Sequence, residues 1–428
     1  MCSLPHIAQI RILKDCSRSE RVVRNNWKKS VCGVIALYYG AATVKERYEI
    51  HLLMRAACKE ALKYGDYTIP MDQNPTLVTV ILNPVANKRK AKQDFEKYCE
   101  PLLHLAGLQV NVIQTASEGN AKEIVETLSG TEAIIVAGGD GTLSETITGL
   151  LRRNDDANRF PIGVLPLGRT NTIGNTLFPD GKGVEKVKQL INASMAIIRG
   201  NTVWKDAMKI EPMEPDEDSP NKPVYAMCSL EWGAFRDVFA KRDKYWIYGS
   251  LRDYASFVFN GYKDTLNWRC MADLKFSPPC AGCSNCLKKR PEIKRKWSFF
   301  MPTLPQVQIA DPSLIENSAC ETKTELSFKT SDFRIRTPNV QRDNNDPPGL
   351  LIAIGKKDYS YSEFVSEGWD RVTQNKFPEA LRARSVELIP KIPDKETVIE
   401  IDKEEYEAKP IRITLLPKVV RLFCPRPQ

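Results

Sequence analysis

Histidine is nearly missing from this sequence: its 428 residues hold three, His6, His51 and His104, all in the first quarter of the chain. A histidine general base is therefore not expected, and any proton transfer near neutral pH falls to carboxylates. Twelve cysteines are too few to staple a chain of this length as a disulfide scaffold. The charge-free run Val31–Val44 has fourteen residues, short of the ~20 that span a bilayer as a helix. Neither the phosphate-binding pattern G-x-x-x-x-G-K-[ST] nor G-x-G-x-x-G occurs. No helix-turn-helix, paired Cys/His finger or aromatic RNA-binding motif is present either, so a nucleic-acid partner is not expected.

What is present describes a globular protein, with 42% apolar and 27% charged residues and length for two domains. The net charge of +9, from 62 basic against 53 acidic residues, suits an anionic membrane face or a polyphosphate. The organising stretch is Ala133–Leu151, AIIVAGGDGTLSETITGLL. Ala133–Ala137 fits a short strand buried on both faces. Gly138, Gly139 and Gly141 follow, where a chain turns sharply or admits a close neighbour. From Thr142 onward, Leu143, Ile147, Leu150 and Leu151 recur at helical spacing. Strand, glycine turn and helix aim backbone N–H groups at one point, which suits a phosphate. Asp140, among those glycines, is a poor phosphate ligand and reads as holding Mg²⁺ or positioning a hydroxyl proton. The plain alternative is an ordinary strand-to-helix turn with Asp or Thr as cap.

The neighbouring segments repeat this grammar. Leu77–Leu82 reads as a buried strand ending at Asn83-Pro84, followed by the basic loop Lys88, Arg89, Lys90 and Lys92 and a helix over Phe95–Leu105. Leu108–Ile113 alternates as a strand ending near Thr115, Ala121–Leu128 is helical, and Ile162–Leu165 delivers Pro166–Asn171 to the same edge. Alternating strands and helices predict a parallel sheet, with ligands outside the carboxyl ends of its strands. After Gly200 the pattern changes. Short alternating runs at Val203–Ile210, Val224–Leu230, Glu325–Phe328, Gly349–Ile354, Ser385–Ile389, Thr397–Ile401 and Pro410–Leu416 predict a mostly antiparallel β domain. Polar insertions interrupt it at about 211–222 and 278–324.

The expected fold class is thus an α/β domain with a parallel sheet over 73–200, then a mostly antiparallel β domain over 201–428. Residues 1–72 form a basic, membrane-associated targeting segment and a helix with Ile50, Leu53, Met54 and Ala57 on one face. Their arginine-rich, acid-poor character fits a mitochondrial address better than a secretory signal.

GGDGTLSE at Gly138–Glu145 resembles the signature of the diacylglycerol-kinase catalytic family, which includes lipid, sphingosine and ceramide kinases. NAD kinases share the GGDGT core. LLMRAAC at Leu52–Cys58, EWGAFRD at Glu231–Asp237, KYWIYG at Lys244–Gly249 and EEYEAKP at Glu404–Pro410 are similar to the mitochondrial branch of that family that acts on acylglycerols. The resemblance implies that the α/β domain is nucleotide-binding and the antiparallel part a β-sandwich lipid-binding domain, with ATP and Mg²⁺ as cofactors and phosphorylation of mono- and diacylglycerol to lysophosphatidic and phosphatidic acid. It also implies the inner mitochondrial membrane, on the intermembrane-space side, and a link of this branch to the inner-membrane carrier translocase that needs no kinase chemistry.

Carried over by motif, Gly138, Gly139, Gly141 and Thr142 cradle phosphates and Asp140 serves catalysis or metal binding. Asn83, Thr115, Gly168, Arg169, Thr170 and Asn171 fall at nucleotide contacts. Asp402 and Glu404 stand at the family's aspartate-glycine-glutamate element, which supplies a catalytic carboxylate; here Lys403 replaces the glycine. Without the resemblance, Asp402, Glu404, Glu405 and Glu407 read as a solvated acidic face. The first loop, Val85-Ala86-Asn87-Lys88, lacks the family's glycine, and Arg169 replaces its threonine, either to pair a phosphate or merely to displace a hydroxyl contact.

Cys280, Cys283 and Cys286, with Cys270 upstream as a fourth donor, offer a zinc set off the usual paired spacing. Thiols or a disulfide are expected there in preference to zinc. The basic and aromatic run that follows, Lys288–Phe300, suits a membrane surface. The leading reading is a lipid kinase. A sphingosine or ceramide kinase, a kinase-independent scaffold of the translocase, and lastly an NAD kinase follow it.

Overall fold

The computed structural model describes residues 27–66, 75–153, 160–214, 222–263, 266, 268–280, 283, 317–340, 347–374, 381–391 and 397–425. Its first element, α1 (Trp27–Gly65), is a single helix in which the charge-free run and the predicted helix are continuous. The two halves differ in surroundings. Ile50, Leu53 and Met54 pack on the core with buried Ala57 and Ala61, and Glu60 pairs with Arg199 at 2.5 Å. Val34, Leu37, Tyr38 and Tyr39, about two to three turns from the start, are exposed by 65% or more. No described helix is long and apolar enough to cross a membrane.

Four parallel strands follow: β1 (Leu77–Leu82), β2 (Gln109–Gln114), β3 (Ala133–Gly138) and β4 (Ile162–Pro166), in the order β2-β1-β3-β4. Apolar residues of both parities are buried along β1, β3 and β4, because helices cover both faces, whereas the edge strand β2 is only half-buried or exposed. Val78, Val80, Ala133 and Ile135 face a helical segment over 91–105, called α2, and α6 (Val184–Arg199). Ile81, Ile134 and Val136 face α3 (Asn120–Thr127) and α4 (Asp140–Arg152). A short helix, α5 (Thr172–Leu177), follows β4. Each fully buried Leu, Ile or Phe contributes about 1.5–3 kcal/mol through area removed from water, which fixes the strand order around the apolar runs.

The second part begins with β5 (Thr202–Pro212), β6 (Val224–Ala226) and β7 (Ser229–Gly233), then α7 (Ala234–Ala240) and α8 (Arg252–Asn260). It continues with β8 (Cys270–Ser277), β9 (Thr324–Thr330), β10 (Asp332–Arg336), β11 (Leu350–Ile354), α9 (Tyr361–Gln374), β12 (Leu381–Ala383) and β13 (Ser385–Pro390). The chain closes with β14 (Val398–Ile401), β15 (Glu404–Glu407) and β16 (Ile411–Phe423). Among the described residues, two sheets face each other. One has the order β12-β11-β10-β7-β14-β15; the other joins β9, β8, β13, β16 and β5 antiparallel. Trp232, Phe333, Ile335, Ile352, Leu274, Val386 and Ile413 fill the space between them, as expected of a sandwich.

The last strand ties the halves together. β16 pairs along β5 and, at Leu422↔Ile162, lies parallel to β4, so the N-terminal sheet runs on into the sandwich. Three details differ from the sequence reading. Val224–Leu230 is not one strand but β6 and β7, because the amides of Met227, Cys228 and Ser229 turn aside to a carboxylate. β10 was hidden by Arg334 and Arg336, which lie buried within it. β15 was hidden in the acidic run Glu404–Glu407, whose Glu405 and Glu407 do face solvent.

Candidate active site

β3 ends in the glycine turn, and packing rather than unusual torsion explains the glycines there. A Cβ on Gly138 would stand 2.7 Å from Thr142 Oγ1, and one on Gly139 would stand 2.9 Å from the Thr170 carbonyl. The closest approach is at Gly168, where a Cβ would meet Gly139 Cα at 2.2 Å. The β3 and β4 turns are therefore stacked backbone on backbone. Gly168 N donates to the Gly138 carbonyl at 2.8 Å, and Asp140 N to the Thr170 carbonyl at 3.0 Å. Asn171 clasps Gly168 from both sides, accepting from its N–H at 2.9 Å and donating to its carbonyl at 2.8 Å. Asn83 donates to Thr142 Oγ1 at 3.1 Å, which brings in the end of β1.

Asp140 is 2% exposed. Its Oδ1 accepts from Thr172 N at 2.6 Å and its Oδ2 from the Thr172 hydroxyl at 2.8 Å, which places the carboxylate at the start of α5. Burial pushes its pKa up, against the pull of those Thr172 bonds and of Lys403.

From the other half of the chain, the β14–β15 hairpin reaches this turn. A Cβ on Gly141 would lie 3.1 Å from Glu404 Oε1. Tyr406 donates its hydroxyl to Glu404 Oε2 at 2.9 Å. Burial pushes Glu404 up to about 7, with the negative Glu145, Glu118 and Asp402 adding to the rise. Asp402 sits differently. Its Oδ1 accepts from Cys228 N and Ser229 N at 2.9 and 2.8 Å, and its Oδ2 from Met227 N at 2.7 Å. Burial pushes it up to about 7 against those three amides. Asp402 thus fastens the hairpin to the chain between β6 and β7, and both of its oxygens are engaged in doing so.

Lys403 stands where the family pattern has glycine, at φ +74°. Its ammonium donates to Glu400 at 2.6 Å and Glu231 at 3.3 Å, and these carboxylates hold it charged although burial opposes the charge. The basic loop after β1 makes a parallel compromise: Asn87, Lys88 and Arg89 all take positive φ, between 49° and 67°.

Two cavities adjoin here. One of about 540 Å³ is bounded by the glycine turn, Asn83, Thr142, Gly168 and the first loop with Lys88. The other, of about 570 Å³, extends into the second half toward Phe257, Arg334, Arg336 and Arg371. Arg169, Thr170, Phe239, Arg242 and Lys403 line both and form the wall between them. Arg169 pairs across that wall with Asp243, of the ten-residue 3₁₀ run Arg242–Leu251.

The structure brings Asn83, Gly138, Gly139, Asp140, Gly141, Thr142, Gly168, Arg169, Thr170, Asn171 and Glu404 together. Thr115 is buried at the end of β2, its amide bonded to the Leu82 carbonyl, and lines neither cavity. Cys286 and the run Lys288–Phe300 lie outside the described residues. Cys270 is not the partner of Cys280 and Cys283 that its position suggested. It opens β8 and is buried in the core between the two sheets, with the far end of that strand, Ser277, about 23 Å away. Three functional groups escaped the sequence reading. Lys403 was read as a lost glycine, and Arg242 carried no motif. Glu145 caps α3, accepting from Gly119 N at 2.8 Å and Ala121 N at 3.1 Å. Its signal in the sequence was its place as the last residue of GGDGTLSE.

A stacked pair of glycine-rich turns under a helix N-terminus, facing a second domain, defines the class. The sequence profile of the diacylglycerol kinase catalytic domain matches residues 77–210. That of the acylglycerol kinase C-terminal region matches residues 227–428. Mouse mitochondrial acylglycerol kinase is 35% identical over 422 residues, covering 94% of this chain and 96% of that protein. The human protein of the same name is 35% identical over 416 residues, with the same coverage. Human sphingosine kinase 2 is 29% identical over 195 residues, 44% of this chain and 29% of its own length. The chain belongs to the acylglycerol kinase family.

Proposed function

We propose that this protein is an ATP-dependent lipid kinase that transfers the γ-phosphoryl group to a hydroxyl of mono- or diacylglycerol, giving lysophosphatidic or phosphatidic acid. The observation that carries the reading is the pair of adjoining cavities with a shared cationic wall. The phosphate donor occupies the side of the glycine turn, where the amides of Gly139–Thr142, Lys88 and Arg242 face its charge. The acceptor lies on the side of Phe239 and Phe257. Lys403 and Arg242, in the wall, meet charge that develops on the transferring group. Glu404, held near neutrality and surrounded by negative charge, is the base for the acceptor hydroxyl. Asp402 positions it through the backbone.

Mg²⁺ fits the donor side, because a single carboxylate together with substrate phosphates is an ordinary Mg²⁺ environment and Asp140 lines that cavity. Bound there, it would neutralise phosphate charge. Asp140 independently fixes the start of α5 and the β4 turn against the glycine turn.

Acylglycerol is favoured over sphingosine or ceramide because the likeness to acylglycerol kinases covers nearly the whole chain and that to sphingosine kinase 2 less than half. The decisive assay offers the full chain labelled ATP in mixed micelles with monoacylglycerol, diacylglycerol, sphingosine, ceramide and NAD in turn. Transfer to the two acylglycerols is expected. Transfer confined to sphingoid bases or NAD would refute the substrate class, and transfer to none would leave the carrier-translocase scaffold as the function.

The relatives' mitochondrial names and the basic residues 1–30 support a mitochondrial location, and we place the protein at the inner membrane, facing the intermembrane space. The exposed apolar half of α1 is the membrane contact. Removing residues 1–48 leaves Ile50, Leu53, Ala57 and Ala61 to dock and should release the protein from membranes without unfolding it. A truncated chain that still fractionates with the inner membrane would move the contact to the second half.

A further inference from the structure

Cys280, Cys283 and Cys320 converge at the root of the connection between β8 and β9, and their sulfurs all lie within 4.8 Å of one another. Cys280 follows the end of β8 by three residues, and Cys320 sits in a single helical turn, Ser318–Glu321, four residues before β9. The β8–β9 ladder ends at Phe276↔Thr324, so the cluster stands directly beyond the last paired residues. We propose that these three cysteines form a thiolate site for one zinc ion, which clips together the two ends of this connection.

The spacing fits. A tetrahedral zinc with sulfurs at about 2.3 Å places neighbouring sulfurs about 3.8 Å apart, so the cluster needs to contract by about 1 Å at most. Three thiolates leave one tetrahedral position for a water or a further donor. The alternative is that these are ordinary buried thiols, which pack as small apolar groups. The other buried cysteines do so: Cys99, Cys228 and Cys270 each belong to one of the hydrophobic cores. Cys283 and Cys320, though 0% and 1% exposed, belong to none of the hydrophobic clusters among the described residues. Polar groups surround the cluster in the sense that a metal thiolate requires. Asn317 donates its side-chain amide to Cys280 Sγ at 3.5 Å, a bond of the kind that orients ligands from outside. Arg384 reaches the Cys320 carbonyl at 3.5 Å, placing a cation beside a centre whose net charge with three thiolates is negative.

Soft thiolate donors with a tetrahedral preference select zinc over magnesium or calcium. The geometric consequence is large. The connection over 278–323 has forty-six residues, and a clip at its root removes the entropy of closing a loop of that length, a quantity that grows only as the logarithm of loop length. Sequence spacing alone pointed to Cys286 or Cys270 as the further ligand and could not supply Cys320, thirty-seven residues beyond Cys283.

The test is metal analysis of the full chain, expressed with added zinc and purified without chelators. About one zinc per chain is expected, since a structural site closes around a single ion. Cys283→Ser and Cys320→Ser should each lose most of it, and Cys424→Ser should keep it. Cobalt in place of zinc should give a thiolate-to-metal charge-transfer band that both serine variants weaken. Should Cys283→Ser fail to fold, Cys320→His, which keeps a zinc donor at that position, should retain metal that Cys320→Ser loses. Protein that stays metal-free on zinc titration would overturn the proposal. So would full zinc retention in both serine variants, or peptide mapping that finds a disulfide among these three cysteines.

Discussion

The glycine turn after β3 and the hairpin turn between β14 and β15 meet at Gly141 and Glu404, and they reach that meeting by opposite routes. In the first, small residues stand where atoms come close: Gly138, Gly139 and Gly168 have no room for a Cβ, yet none of them takes a positive φ. In the second, the turn demands positive φ and the residues supplied are Asp402 and Lys403, at +47° and +74°. Each left-handed non-glycine residue costs about 1–2 kcal/mol. Three amides on Asp402 and two carboxylates on Lys403 offset that cost. The first turn is therefore shaped by its own sequence. The second is held in a strained shape by Met227, Cys228, Ser229 and Glu231, 170 or more positions away, together with the nearby Glu400, in exchange for a cation in the wall of the site.

The comparison can be broken from either side. The largest effect is expected at the first turn. Asp140→Asn keeps a carbonyl to accept from Thr172 N but removes the charge, and should lower turnover by about 10²–10⁴-fold with little change in Tm. Next, Glu404→Gln should lower turnover by about 10²-fold or more, whereas the exposed Glu407→Gln should leave it unchanged. Because Glu404 is raised to about 7, it is protonated below that pH and competent as a base above it. Turnover should rise as pH passes upward through about 7, and Glu404→Gln should abolish that limb. The same shift has the opposite sign for stability. The folded protein binds this proton more tightly than the unfolded chain, so Glu404's contribution to stability falls between about pH 4.5 and 7 and the glutamine variant lacks that fall.

The smallest effect sharpens the contrast itself. Lys403→Gly restores the residue that suits the turn and should recover about 1 kcal/mol of backbone strain. It leaves Glu231 and Glu400 without their shared cation, however, at a cost of about 2–3 kcal/mol. Net destabilisation of about 1–2 kcal/mol in urea unfolding is expected. A net gain would mean that Lys403 is tolerated rather than used.

These differences explain what could be read in advance. β1, β3, β4 and the glycine turn were legible because local spacing dictates them: apolar runs of five or six residues, then glycines, then a 3.6-residue period. The parallel sheet and the sandwich followed from the change of period near residue 200. The wall of the site was not legible, because Arg242 and Lys403 acquire meaning only when the β14–β15 hairpin lies against the glycine turn. Asp402 looked catalytic in the motif and proved to hold three backbone amides, a role set by the break between β6 and β7. β10 was masked for a related reason, since Arg334 is buried against Asp332 of the same strand and Arg336 beside Glu231 of β7. Cys320 was out of reach for the same cause: a hairpin returns it to Cys280, and spacing along the chain does not.

The central claim is that the two turns serve one reaction centre, and a double-mutant cycle tests it most directly. Turnover would be measured for Asp140→Asn, Glu404→Gln and the double variant on a monoacylglycerol in mixed micelles, at a pH above 7. Groups that act on one transition state are strongly non-additive. The double variant should then fall within about tenfold of the weaker single variant. A loss equal to the product of the two single losses would mean that the glycine turn and the hairpin act independently, and would contradict the account.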